Sequence, residues 1–227
     1  MILKNPYYYF SKALTDVQCD MILAHGKQKL LELLGNGEST HAKIGDGDDG
    51  LLPPLNGAIS AGSKTAQALR SEKKPVYHRD SEVAFLSDSW VYDIINPYVM
   101  EANHKANWNF EWDWNESIQF TKYGVGQFYG WHSDAFATPY KMDMGEFSGK
   151  IRKLSVTINL SDPKDYKGGN LRFDFGPHAK KRFHTCTEIR PRGSIIVFPS
   201  HIYHQVTPVT KGTRHSLVMW SLGYPWR

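Results

Sequence analysis

A mainly β chain with helices laid against the outside of its sheet is predicted by three observations. Hydrophobic residues switch to a period of two at Trp108, short strand-like runs then follow to the end of the chain, and helical spacing is confined to the first half. Short strands separated by Gly, Pro, Asp and Lys signals indicate a sandwich or barrel of antiparallel strands. The length predicts one domain over 1–227, with 1–107 as a helical buttress carrying a lid loop at 39–62, and 108–227 as the β core.

The first helix starts at Thr15-Asp-Val-Gln18, which has the form of a capping box, and ends near Gly35. Val17, Met21, Ile22, Leu30, Leu33 and Leu34 are expected to line its buried side, with Gly26 weakening the middle. From Gly35 to about Gly62 the chain is rich in Gly, Asp, Ser and Pro and reads as a long loop. Its acidic run Asp46-Gly-Asp-Asp-Gly50 lacks the spacing of a calcium-binding loop. A second helix begins at Ser87 or Asp88 and carries Trp90, Val91, Ile94, Ile95, Tyr98 and Val99 at helical spacing; Pro97 should kink it or open a second piece. Aromatic and polar residues alternate from Trp108 to Trp114, a strand pattern. Further strands are expected at 117–123, 127–132, 151–160, 170–175, 185–189, 194–198, 203–209 and 214–222.

Hydrophobic residues at 41% and aromatics at 13% describe a folded chain. The formal charge of +4 permits an acidic partner or nucleic acid, but short basic runs such as Lys180-Lys181-Arg182 read first as solvated surface. Cys19 and Cys186 are too few for a disulfide scaffold or a cysteine zinc site. With no apolar run long enough to span a membrane and none at the start, a cytoplasmic location is expected.

The chemistry is expected around Phe128-Tyr-Gly-Trp-His132-Ser-Asp134. In an extended segment side chains two apart share a face, so His132 and Asp134 point into one cavity. A second histidine, His204 or its rival His201, completes a set of two imidazoles and one carboxylate. Such a set holds one face of an octahedral iron and leaves three positions open.

Tyr123…His132-Ser-Asp134, the run from Arg152 to Pro163, Gly168-Gly-Asn-Leu171, Gly193…Phe198-Pro, His204…Arg214 and Trp220 together resemble the iron(II)- and 2-oxoglutarate-dependent dioxygenases, in the prolyl 4-hydroxylase-like branch. The resemblance implies a double-stranded β-helix, a cupin-like jelly roll, with the N-terminal helices packed on its outer sheet. It also implies Fe(II), 2-oxoglutarate and dioxygen, with ascorbate as an accompanying reductant. The offset to Arg214, together with apolar Val206, selects His204 over His201. Arg214 would grip the far carboxylate of 2-oxoglutarate, since a guanidinium is a flat fork for two parallel hydrogen bonds. Tyr123, Thr157 and Asn159 would complete the cosubstrate pocket, while Tyr129, Arg152 and Trp220 would line the substrate mouth. The implied reaction hydroxylates an unactivated C–H, with succinate and carbon dioxide as coproducts. Its implied substrate is a prolyl residue in a peptide or protein. A free amino acid or small metabolite, oxidative demethylation of nucleic acid, and a non-catalytic jelly-roll module are the alternatives.

Overall fold

Tyr8–Phe10 form a short strand, β1, before α1 (Asp16–Gly35), in the computed structural model, which describes residues 5–45, 77–135 and 138–226. Thr15 caps α1 as its sequence predicts: its hydroxyl accepts from the Gln18 amide, and Gln18 reaches back to the Thr15 amide. Then come β2 (His41–Gly45), β3 (Tyr77–Leu86), α2 (Ser89–Lys105), β4 (Trp114–Asn115), β5 (Ile118–Tyr123) and β6 (Phe128–His132). After a single 3-10 turn at Gly145–Phe147 the remaining elements are strands: β7 (Ile151–Asn159), β8 (Tyr166–Gly168), β9 (Leu171–Asp174), β10 (Phe183–Thr185), β11 (Ile195–Pro199), β12 (Tyr203–Val206), β13 (Val209–Gly212) and β14 (Arg214–Gly223).

Twelve strands form one antiparallel sheet in the order β1-β11-β7-β14-β5-β3-β6-β12-β9-β10, with β2 beside β3 and β4 beside β14; β8 and β13 pair separately. The sheet curls so that Phe173 of β9 meets Phe198 of β11 at 5.2 Å between ring centroids. This is the mainly β, double-stranded β-helix architecture that the resemblance implies.

Register divides the strands into two faces. Ser216 of β14 lies opposite Asn159 of β7 and Thr121 of β5, and Leu217 lies opposite Ile158 and Phe120. Directly opposed residues share a face, so the alternation carries through the whole sheet. Leu217, Met219, Val156, Ile158, Ile118 and Phe120 face outward and are buried beneath Ile22 of α1 and Val91, Ile95 and Val99 of α2. Gly26 belongs to this packing: a Cβ there would collide with the Phe120 ring, so glycine lets α1 approach the sheet.

Several expectations need correction. Only Ile22 and Leu30 of the expected α1 stripe are buried, with Cys19 and Gly26; Val17, Met21 and Leu34 are exposed. The helix crosses the sheet along one narrow contact, which a count of apolar residues does not locate. Pro97 neither breaks α2 nor divides it, since the helix runs unbroken from Ser89 to Lys105. Trp108 and Phe110 are buried, but the alternating stretch pairs as a strand only at Trp114–Asn115. The strand expected at 185–189 pairs instead at Phe183–Thr185, and 203–209 divides into β12 and β13. The expected loop after Gly35 contains β2, while its acidic run and residues 46–62 of the lid lie outside the described residues.

Candidate metal and cosubstrate site

The inward face of the same strands is polar. His132 ends β6 and lies directly opposite His204 of β12, with ring centroids 4.2 Å apart, and Asp134 follows two residues after His132. His132 Nε2 is 3.6 Å from Asp134 Oδ1, and His204 Nε2 is 3.5 Å from Asp134 Oδ2. The three residues form a group able to hold a metal ion, their ligand atoms all within 4.8 Å of one another.

Hydrogen bonds orient the imidazoles. His132 Nδ1 lies 2.8 Å from the Gly130 carbonyl and His204 Nδ1 lies 2.9 Å from that of Ile202. A carbonyl only accepts, so each Nδ1 carries the proton and each Nε2 turns a lone pair toward the cluster. Burial, and then the neighbouring His132, push His204 down to about 4, so its ring is neutral near pH 7. Burial alone would raise the Asp134 carboxyl, but His204, His132 and Arg152 outweigh it and hold the group below the usual carboxylate range. Two neutral imidazoles and one carboxylate suit ferrous iron and leave half of its octahedron open.

Asp134 is anchored from outside the ligand set. Ser155 donates to Asp134 Oδ2 at 2.7 Å, and the Ser155 and Ser200 hydroxyls lie 2.9 Å apart. The Ser200 carbonyl accepts the amides of Asp134 and Ala135, each at 3.0 Å. Phe198 stands edge-on to His204 at 4.7 Å and closes the apolar floor beneath it.

Arg214 supplies the test of the cosubstrate. The residue is 1% exposed, yet among the described residues its guanidinium makes one contact of 3.2 Å to Ser216 Oγ, and Nε has no partner. Among the described residues no carboxylate pairs with it. A buried cation without an anion is strongly disfavoured, so this side chain fits a pocket completed by a carboxylate from outside the protein. Gly169, at φ +57°, makes room: a Cβ there would come within 2.8 Å of Arg214 Cδ.

The other expected residues gather here with different standing. Tyr123 is buried beside Arg214, whose Cζ lies 5.6 Å from its ring centroid, and Thr157 lies on the same inward face. Asn159 is committed elsewhere: its Nδ2 donates to the carbonyls of Ser161 and Arg190 at 2.9 and 2.8 Å, so both amide hydrogens hold a turn. Tyr129 stacks on His132 at 3.6 Å, and burial first of all raises its hydroxyl to about 12. Arg152 lies over Trp220 at 3.8 Å and grips Glu116 with two bonds of 2.6 Å. His201 lies in the turn before β12, outside the ligand group.

Sequence reading missed Ser155, Ser200, Glu116 and above all Arg79. Arg79 is buried on β3 directly opposite Tyr129 of β6 in register, with its Cζ 4.6 Å from the Tyr129 ring centroid. The alternation Arg79, Ser81, Val83, Phe85 was a strand signal that could have found it.

The fold and the site together define a double-stranded β-helix protein whose two histidines, one carboxylate and deep arginine suit iron and a dicarboxylic acid. Residues 118–222, from β5 to β14, match the model of the 2OG-Fe(II) oxygenase superfamily. A PKHD-type hydroxylase of Xanthomonas campestris pv. campestris is 29% identical over 170 residues, covering 73% of this chain and 66% of that protein. One from Sphingopyxis alaskensis is 42% identical over 95 residues, covering 41% of this chain and 38% of that protein. The chain thus spans from under half to about two thirds of the length of these relatives. Among solved structures, the viral collagen prolyl hydroxylase of Paramecium Bursaria Chlorella virus-1 superposes with a TM-score of 0.60 at 17% identity, covering 98% of this chain and 99% of that one. A Pseudomonas putida prolyl-4-hydroxylase gives 0.56 at 16% identity, covering 96% and 92%. These structures share the fold.

Proposed function

We propose that this chain, acting as one domain, is an Fe(II)- and 2-oxoglutarate-dependent dioxygenase that hydroxylates a prolyl residue in a peptide or protein. The observation that carries this reading is the buried, acid-free guanidinium of Arg214, set behind His132, Asp134 and His204. Iron with its cosubstrate would supply the oxidation of an unactivated C–H, releasing succinate and carbon dioxide.

The chain's own residues bind and orient. His132, Asp134 and His204 would hold iron through Nε2, one carboxylate oxygen and Nε2. Ser155 keeps Asp134 Oδ2 engaged, which favours a single metal bond through Oδ1 and preserves the open positions. Arg214 would grip the far carboxylate, with Tyr123 and Thr157 beside it; Asn159 drops out of this role because its amide is committed. Phe173 and Phe198 keep water from the floor. Tyr129, Arg152 and Trp220 would shape the mouth, where Glu116 holds Arg152 in place.

A peptide or protein substrate is supported by the fold shared with a Trichoplax adhaerens prolyl hydroxylase solved with a hypoxia-inducible-factor peptide fragment, at 16% identity and TM-score 0.56. A cytoplasmic setting is supported by two buried free cysteines. None of the described helices is long and apolar enough to cross a membrane.

Purified protein with Fe(II), ascorbate and 2-oxoglutarate is expected to release succinate slowly without substrate, and Asp134→Ala to abolish the release. Proline-containing peptides should accelerate it and gain one oxygen by mass spectrometry. Acceleration by free amino acids or methylated oligonucleotides alone would defeat the prolyl assignment.

A further inference from the structure

The reverse face of the strands that carry the histidines presents exposed rings beside cations. Tyr203 of β12 lies opposite Asp174 of β9, and Asp174 lies opposite Phe183 of β10, so the three form one row pointing away from His204. Tyr203 and Phe183 are 46% and 42% exposed. Trp131, next to His132, lies parallel to Tyr203 within 5° at 6.1 Å and meets Phe183 at 5.5 Å. The Arg172 guanidinium lies 5.8 and 5.9 Å from the Trp131 and Phe183 ring centroids, and its Nε has no partner.

A surplus of positive charge lies on the same strand pair and the loop that joins it. Between Leu171 and Thr185 there are four cations and one carboxylate, a surplus of three in a molecule whose formal charge is +4. Arg182 is neutralised by Asp174 through bonds of 2.9 to 3.1 Å. Arg172, Lys180 and Lys181 have no acid partner among the described residues. Trp131 and Tyr203 each precede a proposed ligand, so the row begins one residue from the metal cluster, on the other side of the same strands.

We infer that this aromatic and basic face is the docking surface for the acidic flank of the protein substrate, an extended segment carrying Asp or Glu a few residues from the reacting proline. The inference rests on the prolyl hydroxylase reading and adds the substrate's charge. The rings offer flat faces on which an extended, proline-containing chain packs, and the three unpaired cations select acidic side chains around it. The one-residue offset of Trp131 and Tyr203 from the proposed ligands favours a flank of the substrate itself over an unrelated partner.

The test uses the full chain and two fluorescent peptides that share a central proline, one flanked by Asp and Glu and the other by Lys. Fluorescence anisotropy without 2-oxoglutarate reads binding apart from turnover. The acidic peptide is expected to bind at least about fivefold more tightly, with the advantage shrinking as salt rises. The double variant Lys180→Glu and Lys181→Glu should erase or invert the preference while slow succinate release without peptide stays at the wild-type rate. Phe183→Ala should weaken both peptides about threefold and leave the preference intact. Equal binding of the two peptides, or a preference that survives the double variant, overturns the inference. So does displacement of the acidic peptide by a single-stranded oligonucleotide when no acidic peptide speeds succinate release, which would assign the face to nucleic acid. If the wild type releases no succinate, the dioxygenase reading fails, and the binding measurement still decides the charge preference.

Discussion

The two faces of the major strands obey opposite rules. Outward, Phe120, Leu217, Ile158 and Met219 lie under α1 and α2, and each contributes by excluding water. Inward, one residue along each strand, Arg214, Ser216, Thr157 and Ser155 are equally buried but lie around a place for ligands. The contrast teaches that burial carries no single meaning here. Under the helices it stabilises, while around the cluster it holds charged and polar groups in poor surroundings until ligands arrive.

The sharpest way to break that contrast is to exchange the consequences of mutation. Arg214→Met removes a buried cation and fills its space with an apolar chain. The affinity for 2-oxoglutarate, read by calorimetry on Zn(II)-loaded protein, is expected to fall at least about 100-fold, by analogy with a truncated buried charge pair worth roughly 2–5 kcal/mol. The urea midpoint of the ligand-free protein should hold or rise. A fall in that midpoint would mean that Arg214 is structural.

On the outward face the reverse is expected. Phe120→Ala leaves a cavity beneath Gly26 and should lower stability by about 3–5 kcal/mol in urea unfolding, with metal affinity unchanged in the folded protein. A variant that unfolds no more readily but loses metal would erase the division between the faces.

Ser155→Ala is a smaller perturbation on the inward side. Freed from its hydroxyl donor, Asp134 should bind Co(II) about 10- to 100-fold more weakly, and Ser155→Thr should restore most of the affinity. Unchanged affinity and an unchanged Co(II) absorption spectrum would reduce Ser155 to packing.

A further effect distinguishes the faces by pH. His215 points outward, stacked on Phe120 at 5.7 Å, and burial, then Lys27, Lys122 and Arg214, push its imidazole down to about 4. An unfolded histidine takes up its proton near 6.5, so between that pH and about 4 the unfolded chain binds more protons than the folded one. Metal-free protein should therefore keep this stability above pH about 6.5 and lose up to ~3 kcal/mol as the pH falls towards 4. His215→Gln should flatten that slope in urea titrations at pH 7, 6 and 5.

Much of the core was legible because its signals are local. The capping box at Thr15 satisfies helical amides three residues away, and period-two alternation marks a strand wherever one face is covered. The expected β7 at 151–160, β11 at 194–198 and β14 at 214–222 match the observed strands to within a residue or so at each end. Missed elements lacked such signals. β1 and β8 are three residues each, too short for a periodic pattern. β3 has a pattern, but its inward residues include Arg79 and Ser81, whose burial reflects the site and not hydrophobicity.

The candidate site divides in the same way. His132 and Asp134 were joined by their spacing, since two residues of extended chain reach the same face. Their meeting with His204 was named from the resemblance, but nothing along the chain sets the distances of 3.5 and 3.6 Å to Asp134. Asn159 was expected at the cosubstrate on strand parity, yet the carbonyls of Ser161 and Arg190 that take its amide are brought in by the turn and by a loop thirty-one residues away.

The amino-acid order by itself determined where the two helices and the long strands of the core begin, which of their residues alternate, and which side chains could serve as ligands, because these depend on neighbours a few bonds away. Tertiary structure alone decided that Ser155 holds Asp134, that Asn159 is occupied, that Arg214 is buried without an acid and that Arg172 lies beside the rings of Trp131 and Phe183. Each of these is a relation between strands far apart in the chain, and it exists only once the sheet has curled to bring them together.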